Sequence, residues 1–158
     1  KPLILKLEGG YRGNIDGKTC TMKGITLSVF RSFYGQGKTC KDLKNITDEQ
    51  WNTIFKEGYW DKWKADQINS QPIANLLVDW FWHSGMNGIK YPQEILGVKQ
   101  DGIVGEKTIK AINASEPSEL FTKLWQRRKE HLCHLAESPS KSQFLDGWLN
   151  RLNDFKFN

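Results

Sequence analysis

The residue best placed to do acid–base chemistry in this chain is Glu8, in the stretch Leu5-Lys-Leu-Glu-Gly-Gly-Tyr11. Leu3, Ile4, Leu7 and Tyr11 follow the spacing of one apolar helical stripe, and Glu8 falls one turn past Ile4, beside that stripe. Gly9-Gly10 stops such a helix. The partial negative charge of a helix C-terminus and partial removal from water both disfavour a carboxylate, so both raise the pKa expected for Glu8. A carboxyl still protonated near neutral pH can act as a general acid. Taken alone, the pattern fits a surface Glu at a frayed helix end better, and its surroundings must argue for chemistry.

A carboxylic acid that protonates a leaving oxygen, with a second carboxylate or a held water nearby, is the equipment of glycoside hydrolysis. Two residues are candidates for the second group. Asp16, between Gly13 and Gly17, could face Glu8 across a gap, and an Asx turn ahead of Gly17 describes it equally well. Asp79 lies among Leu77, Val78, Trp80 and Phe81, so it is expected to be buried and either paired or protonated. Such residues are more often structural hydrogen-bond hubs than substrate contacts. His83 reads as a hydrogen-bonded structural histidine rather than a catalytic one. His131-Leu-Cys-His134 offers too few ligands at unsuitable offsets for a metal, and reads as a buried Cys beside surface histidines.

These groups need helices and one small lobe to position them. Arg12 to Lys23 is rich in Gly, Asn, Asp and Thr, the composition of a hairpin or loop lobe that would overhang Glu8. Thr26 is placed to cap a helix carrying Leu27, Phe30, Phe33 and Tyr34, ended by Gly35 and Gly37. Thr47-Asp-Glu-Gln50 is a capping box with Ile46 and Trp51 as its staple, which predicts a helix from about residue 48 to Glu57. Pro72 opens a helix that is apolar nearly all round as far as Trp82 and is therefore central. A short helix is expected from Pro92 to Leu96, a tight turn at Asp101-Gly102, and a helix through Thr108, Ile109 and Ile112. Pro117 starts a long helix to about Leu135, and Ser138-Pro-Ser140 breaks it before a last helix bearing Phe144, Leu145, Trp148, Leu149 and Leu152.

A length of 158 residues, 38% hydrophobic and 26% charged, suits one ordinary globular domain or a main domain with a small lobe. Seven Trp and four Tyr stand out; aromatics at this density are mostly core, but they also form platforms for sugar rings. A net charge of +5 assists approach to an anionic partner without choosing one. The densest basic run, Gln126-Arg-Arg-Lys-Glu130, reads as a solvated helix face, and nucleic-acid signatures are absent, so nucleic acid is not an expected partner. The run Ile73 to Trp82 is too short to span a bilayer, and stable membrane insertion is not expected. The chain opens at Lys1 without a signal-peptide pattern, as a trimmed or mature form would, so an export route is not legible there. Three cysteines leave at least one outside any intramolecular bond. Cys20 and Cys40 could pair if the chain between them folds back, but nothing in the sequence sets that geometry, so pairing is the less favoured of two open readings.

Glu8-Gly-Gly-Tyr11, Gly24-Ile-Thr26, Tyr59-Trp-Asp61, Asp79 followed by Gly85, Asp101-Gly-Ile-Val-Gly105 with Thr108, and Gly147-Trp-Leu-Asn-Arg151 come in an order and spacing that resembles the glycoside hydrolase family 108 lysozyme-like proteins over nearly the whole chain. The resemblance departs at Asp16-Gly-Lys-Thr-Cys20, where the family usually has Asp before paired glycines, and at His83, where it often has Asn. It implies a mainly α, lysozyme-like helical domain with a small irregular or β-hairpin lobe. Residues 1–78 would form the catalytic part, and 79–158 a helical peptidoglycan-binding part packed with it as one unit. It implies an N-acetylmuramidase that cleaves the β-1,4 link between N-acetylmuramic acid and N-acetylglucosamine, with Glu8 as its acid. Asp16, or a water held by Thr21 or Thr26, would assist at the anomeric carbon. Tyr11, Tyr59 and Trp60 would line the groove, with Asp79 a further candidate contact. No metal or organic cofactor is implied. The expected partner is the glycan strand of peptidoglycan, met by a monomer in the periplasm or cell envelope or by a phage-type lysin delivered there. The contrasting expectations are a non-catalytic wall-binding or secretion-accessory protein, since some relatives carry a secretion-activator label, and a lytic transglycosylase.

Overall fold

The computed structural model describes residues 12–13 and 20–157, so the expectations for Glu8, Tyr11 and Asp16 lie outside the described residues. The chain divides into two compact units, Lys1–Gly58 and Tyr59–Asn158.

In the first unit the Gly- and Thr-rich segment is a β lobe. Strand β1 (Arg12–Gly13) pairs antiparallel with β2 (Cys20–Met22), which pairs antiparallel with β3 (Ile25–Thr26). The β2–β3 connection turns through Lys23 (φ 50°) and Gly24 (φ 83°), two successive left-handed residues that match the right-handed twist of a tight hairpin. The register sets Thr21 opposite Thr26 and Met22 opposite Ile25. Laterally paired residues share a face, so both threonines lie on one side while the buried Cys20 and Ile25 lie on the other.

Among the described residues, three helices back this lobe: α1 (Leu27–Tyr34), α2 (Cys40–Lys44) and α3 (Asp48–Phe55). Thr26 caps α1, its hydroxyl accepting from the Val29 N–H at 3.3 Å. The expected Thr47 box is present, with the Gln50 N–H donating to the Thr47 hydroxyl and the Thr47 N–H donating to the Gln50 side chain, both at 3.0 Å. A second box, Thr39 with Asp42, starts α2, a helix the sequence reading did not place. Helix α3 stops at Phe55 rather than Glu57, where the chain widens into a π-helical turn, Lys56–Trp60. The indole of Trp51 donates to the Lys23 carbonyl at 3.0 Å, tying α3 to the hairpin turn, and its ring stacks on Phe55. Phe30, Leu43, Trp51 and Ile54 are buried together with Ile25 and Leu27 as the apolar interior of this unit.

Of the two readings open for Cys20 and Cys40, the less favoured one holds: they form a disulfide, Cα to Cα 6.0 Å, between β2 and the first residue of α2. The hairpin and α1 carry the chain out and back, which is the fold-back that local sequence does not reveal. A bond closing a loop of 20 residues stabilises by about 3 kcal/mol through the unfolded chain.

The second unit is helical. A short 3-10 turn (Ala65–Gln67) precedes α4 (Gln71–Ser84), followed by α5 (Asn87–Leu96), α6 (Glu106–Ala114), α7 (Pro117–Leu135), a 3-10 turn (Ser142–Phe144) and α8 (Leu145–Asn153). Helix α4 is central, as its all-round apolar pattern predicts: Ile73, Ala74, Leu76, Leu77, Val78 and Trp80 are each at most 1% exposed. Helix α5 begins five residues before Pro92, which sits inside it rather than opening it. The corner explains why. A Cβ on Gly88 would lie 2.6 Å from the backbone of Phe81 and Trp80, so the first turn of α5 rests directly on α4, and only glycine fits. The Asp101-Gly102 turn is organised from below by the buried Gln93. Its side chain accepts from the Gly102 N–H and donates to the Ile103 carbonyl, both at 3.0 Å.

Two further expectations are corrected on α7. Arg128, inside the basic run read as a solvated face, is wholly buried. His131 is buried and Cys133 is an exposed free thiol, each the reverse of its expected place, whereas His134 is exposed as expected. Both follow from the helical period: positions 124, 128, 131 and 132 point one way, into the core, and 133 points out.

Candidate functional site

Thr21 and Thr26 stand side by side on the outer face of the β lobe, one half-buried and one exposed. The hydroxyl of Thr26 already accepts a backbone N–H, but a hydroxyl that accepts still has its own proton to donate.

Tyr59 and Trp60 belong to the π-helical turn and are both half-buried. The Tyr59 ring packs on Phe81 at 5.1 Å and Trp82 at 4.6 Å, and burial raises its phenol pKa, so it stays protonated. The Trp60 indole donates to Asp66 Oδ1 at 2.8 Å, which orients its ring.

Asp79, a candidate substrate contact in the sequence, lies on the buried side of α4. It is 0% exposed and both carboxylate oxygens are occupied: Arg128 Nη2 reaches Oδ2 at 2.8 Å, and Arg151 reaches Oδ1 at 2.6 Å and Oδ2 at 3.2 Å. Burial alone would raise its pKa, but the two guanidiniums outweigh that and hold it below the ordinary carboxylate range. Asp79 is thus a pin joining α4, α7 and α8. Sequence reasoning singled out neither arginine for this role. Arg151 appeared only as the end of Gly147-Trp-Leu-Asn-Arg151, and Arg128 sits 49 residues from Asp79.

The same three helices carry a second set of groups one turn further along. His83 follows Asp79 by four residues on α4, His131 follows Arg128 by three on α7, and Trp148 precedes Arg151 by three on α8. His83 meets Trp148 edge-on at 6.0 Å, but its Nδ1 is buried without a hydrogen-bond partner among the described residues, so the expected hydrogen-bonded state is corrected at that atom. Burial, then the positive charges of Arg151 and Arg128, push its pKa down to about 4. His131 is lowered for the same reasons, burial first and Arg127 next.

A pH dependence follows. Between the ordinary histidine pKa of 6.5 and the folded value of about 4, the unfolded chain binds a proton that folded His83 refuses. Stability from this group is therefore complete above pH 6.5 and is lost as pH falls toward 4, by on the order of 2–3 kcal/mol. Urea unfolding of the wild type and His83→Asn at pH 7 and 4.5 should show a flatter pH response in the variant; equal slopes would contradict the assignment.

Among the described residues, no cluster of His, Cys, Asp and Glu is placed to hold a metal ion, and no helix is long and apolar enough to cross a membrane.

Comparison with known proteins gives this geometry its context. The family model described as Glycosyl hydrolase 108 matches residues 2–85, and the model described as Predicted Peptidoglycan domain matches residues 87–153. The solved structure titled "Structure of Brucella abortus SagA" is similar at 28% sequence identity with a TM-score of 0.83, covering 98% of this chain and 87% of that one. No curated protein matches the chain. The fold is thus mainly helical and lysozyme-like with a small antiparallel lobe. With one model spanning more than half of the chain and the other most of the remainder, this protein belongs to the glycosyl hydrolase 108 family and is a glycoside hydrolase of peptidoglycan, acting at the cell envelope where that polymer lies.

Proposed function

We propose that the protein is an N-acetylmuramidase that cleaves the β-1,4 bond between N-acetylmuramic acid and N-acetylglucosamine, with Glu8 as general acid. The observation that carries this reading is the Glycosyl hydrolase 108 match over residues 2–85, which contains Glu8-Gly-Gly-Tyr11 whole. Glu8 protonates the glycosidic oxygen as the bond breaks, and Asp16 or a water held by the Thr21 or Thr26 hydroxyl assists at the anomeric carbon. The pairing of Thr21 with Thr26 on the outer face of the lobe supports the water-holding role, since two adjacent hydroxyls supply both donors and acceptors. Tyr11, Tyr59 and Trp60 contact sugar rings. Residues 1–78 carry the catalysis and 79–158 bind the wall. The protein works as a monomer without metal or organic cofactor, in the periplasm or as a phage-type lysin that reaches the same polymer.

Incubation with purified, insoluble peptidoglycan is expected to release soluble glycan fragments in proportion to enzyme and time. Co-sedimentation of intact protein with the wall and no release of fragments would instead identify a binding protein and overturn the proposal.

A further inference from the structure

The cleft at the outer end of the α4, α7 and α8 seam has a volume of about 330 Å³, near the lower end of the roughly 300–1,000 Å³ typical of small-ligand sites. Its lining includes His83, Asn87, His131, Lys141, Phe144 and Trp148. Three features mark it as built for a ligand. Phe144 is 49% exposed and stacks on half-buried Trp148 at 5.9 Å with 28° between the planes, so the two rings form one aromatic floor. His131 is only 5% exposed, is braced by the Tyr91 ring at 4.7 Å, and its Nδ1, like that of His83, has no hydrogen-bond partner among the described residues. A buried imidazole left unsatisfied is costly unless something else completes it. Beneath the cleft, the Asp79 pin with Arg128 and Arg151 holds the three lining helices in fixed relation.

The chemistry of the lining selects among the parts of a peptidoglycan strand. A pyranose ring offers an apolar face for aromatic rings, and an acetamido group offers one N–H and one carbonyl. Two neutral imidazoles, the Asn87 amide and the Ser84 hydroxyl match those groups. Among the described lining residues Lys141 is the one cation at neutral pH and none is acidic, which suits a sugar better than the amine-bearing end of a stem peptide.

We propose that this cleft is a saccharide site, which takes one N-acetylated amino-sugar residue of the glycan strand with its apolar face on Trp148 and Phe144 and its acetamido group toward Asn87, His83 and His131. The inference rests on the peptidoglycan reading, and it assigns a specific surface of the region matched over residues 87–153 to wall recognition.

The test is titration of the full chain, as its Glu8→Gln variant to prevent turnover, with a soluble N-acetylglucosamine trisaccharide, followed by NMR of the Trp148 indole and the His83 and His131 rings. Saturable shifts at these three side chains are expected, with affinity weakened about tenfold in Trp148→Ala. Asn87→Ala, on an exposed position, should weaken binding too and serves if the Trp148 variant unfolds. An oligomer of glucose without acetamido groups should bind at least about tenfold more weakly. Unshifted signals from these rings in the folded protein, or equal binding of the glucose oligomer, would overturn the assignment. Failure here alongside release of fragments from peptidoglycan refutes only this site. Binding here without any release refutes the muramidase reading and leaves the site standing.

Discussion

Glu8→Gln is expected to lower the rate of fragment release from peptidoglycan by about 10²- to 10⁴-fold, while thermal unfolding and sedimentation with the wall are retained. Gln keeps the size of the side chain and its hydrogen-bonding ability but has no proton to give to a departing glycosidic oxygen. The effect should therefore fall on the chemical step rather than on binding, with kcat reduced and KM little changed. Because an acid must carry its proton to act, activity also declines as pH rises and Glu8 ionises. That high-pH limb is the one Glu8→Gln removes. A variant with more than a tenth of the wild-type rate would show that Glu8 is not the proton donor.

Asp79→Ala should be the most damaging single change in the second unit, at about 3–5 kcal/mol, because it leaves two guanidiniums facing each other in the interior. Arg128 cannot recover by turning to solvent, since its side chain is 0% exposed and Nε and Nη1 have no hydrogen-bond partner. Arg151, at 11% side-chain exposure, has a partial escape. The midpoint of thermal unfolding should fall by roughly 10 °C, and Asp79→Asn should be nearly as harmful because it keeps a hydrogen-bond acceptor but not the charge. A loss below about 1 kcal/mol would mean that the triad is not the pin described here. Because the same three helices line the saccharide cleft, the aromatic signals of Trp148 and His131 should broaden or shift in these variants before global unfolding.

What the sequence disclosed, and what it hid, follows the range of the interactions involved. The Thr47 box, the Thr26 cap and the Pro117 start were legible because a cap is decided within three or four residues, and all three stand in the structure. The start of α5 was not. Pro92 resembles a first-turn proline, and the Gly88 contact that lets the helix begin at Asn87 is made with α4, a separate element. The Cys20–Cys40 bond was hidden for a similar reason, since it depends on a hairpin and a helix returning the chain to itself. Asp79 was read correctly as buried and in need of a partner. Its partners were not legible, because Arg128 looks like one more surface cation in Gln126-Arg-Arg-Lys-Glu130 until the α7 period turns it inward. The cleft beyond it could not be seen at all in sequence, because His83, His131 and Trp148 come from three helices and meet only through packing. Of the site residues, Thr21 and Thr26 are brought together by the β register, whereas Glu8, Tyr11 and Asp16 fall outside the described residues; Glu8 and Tyr11 rest on their motif, and Asp16 only on its place among the glycines of the lobe.

The most direct test of the muramidase reading is the mass of the fragments released from purified peptidoglycan by the wild type and by Glu8→Gln side by side. Hydrolysis adds one water across the broken bond, so the wild type should yield fragments ending in a reducing N-acetylmuramic acid, and Glu8→Gln should yield almost none. Fragments ending in anhydro-sugars, in a reducing N-acetylglucosamine, or in equal amounts from both proteins would contradict it.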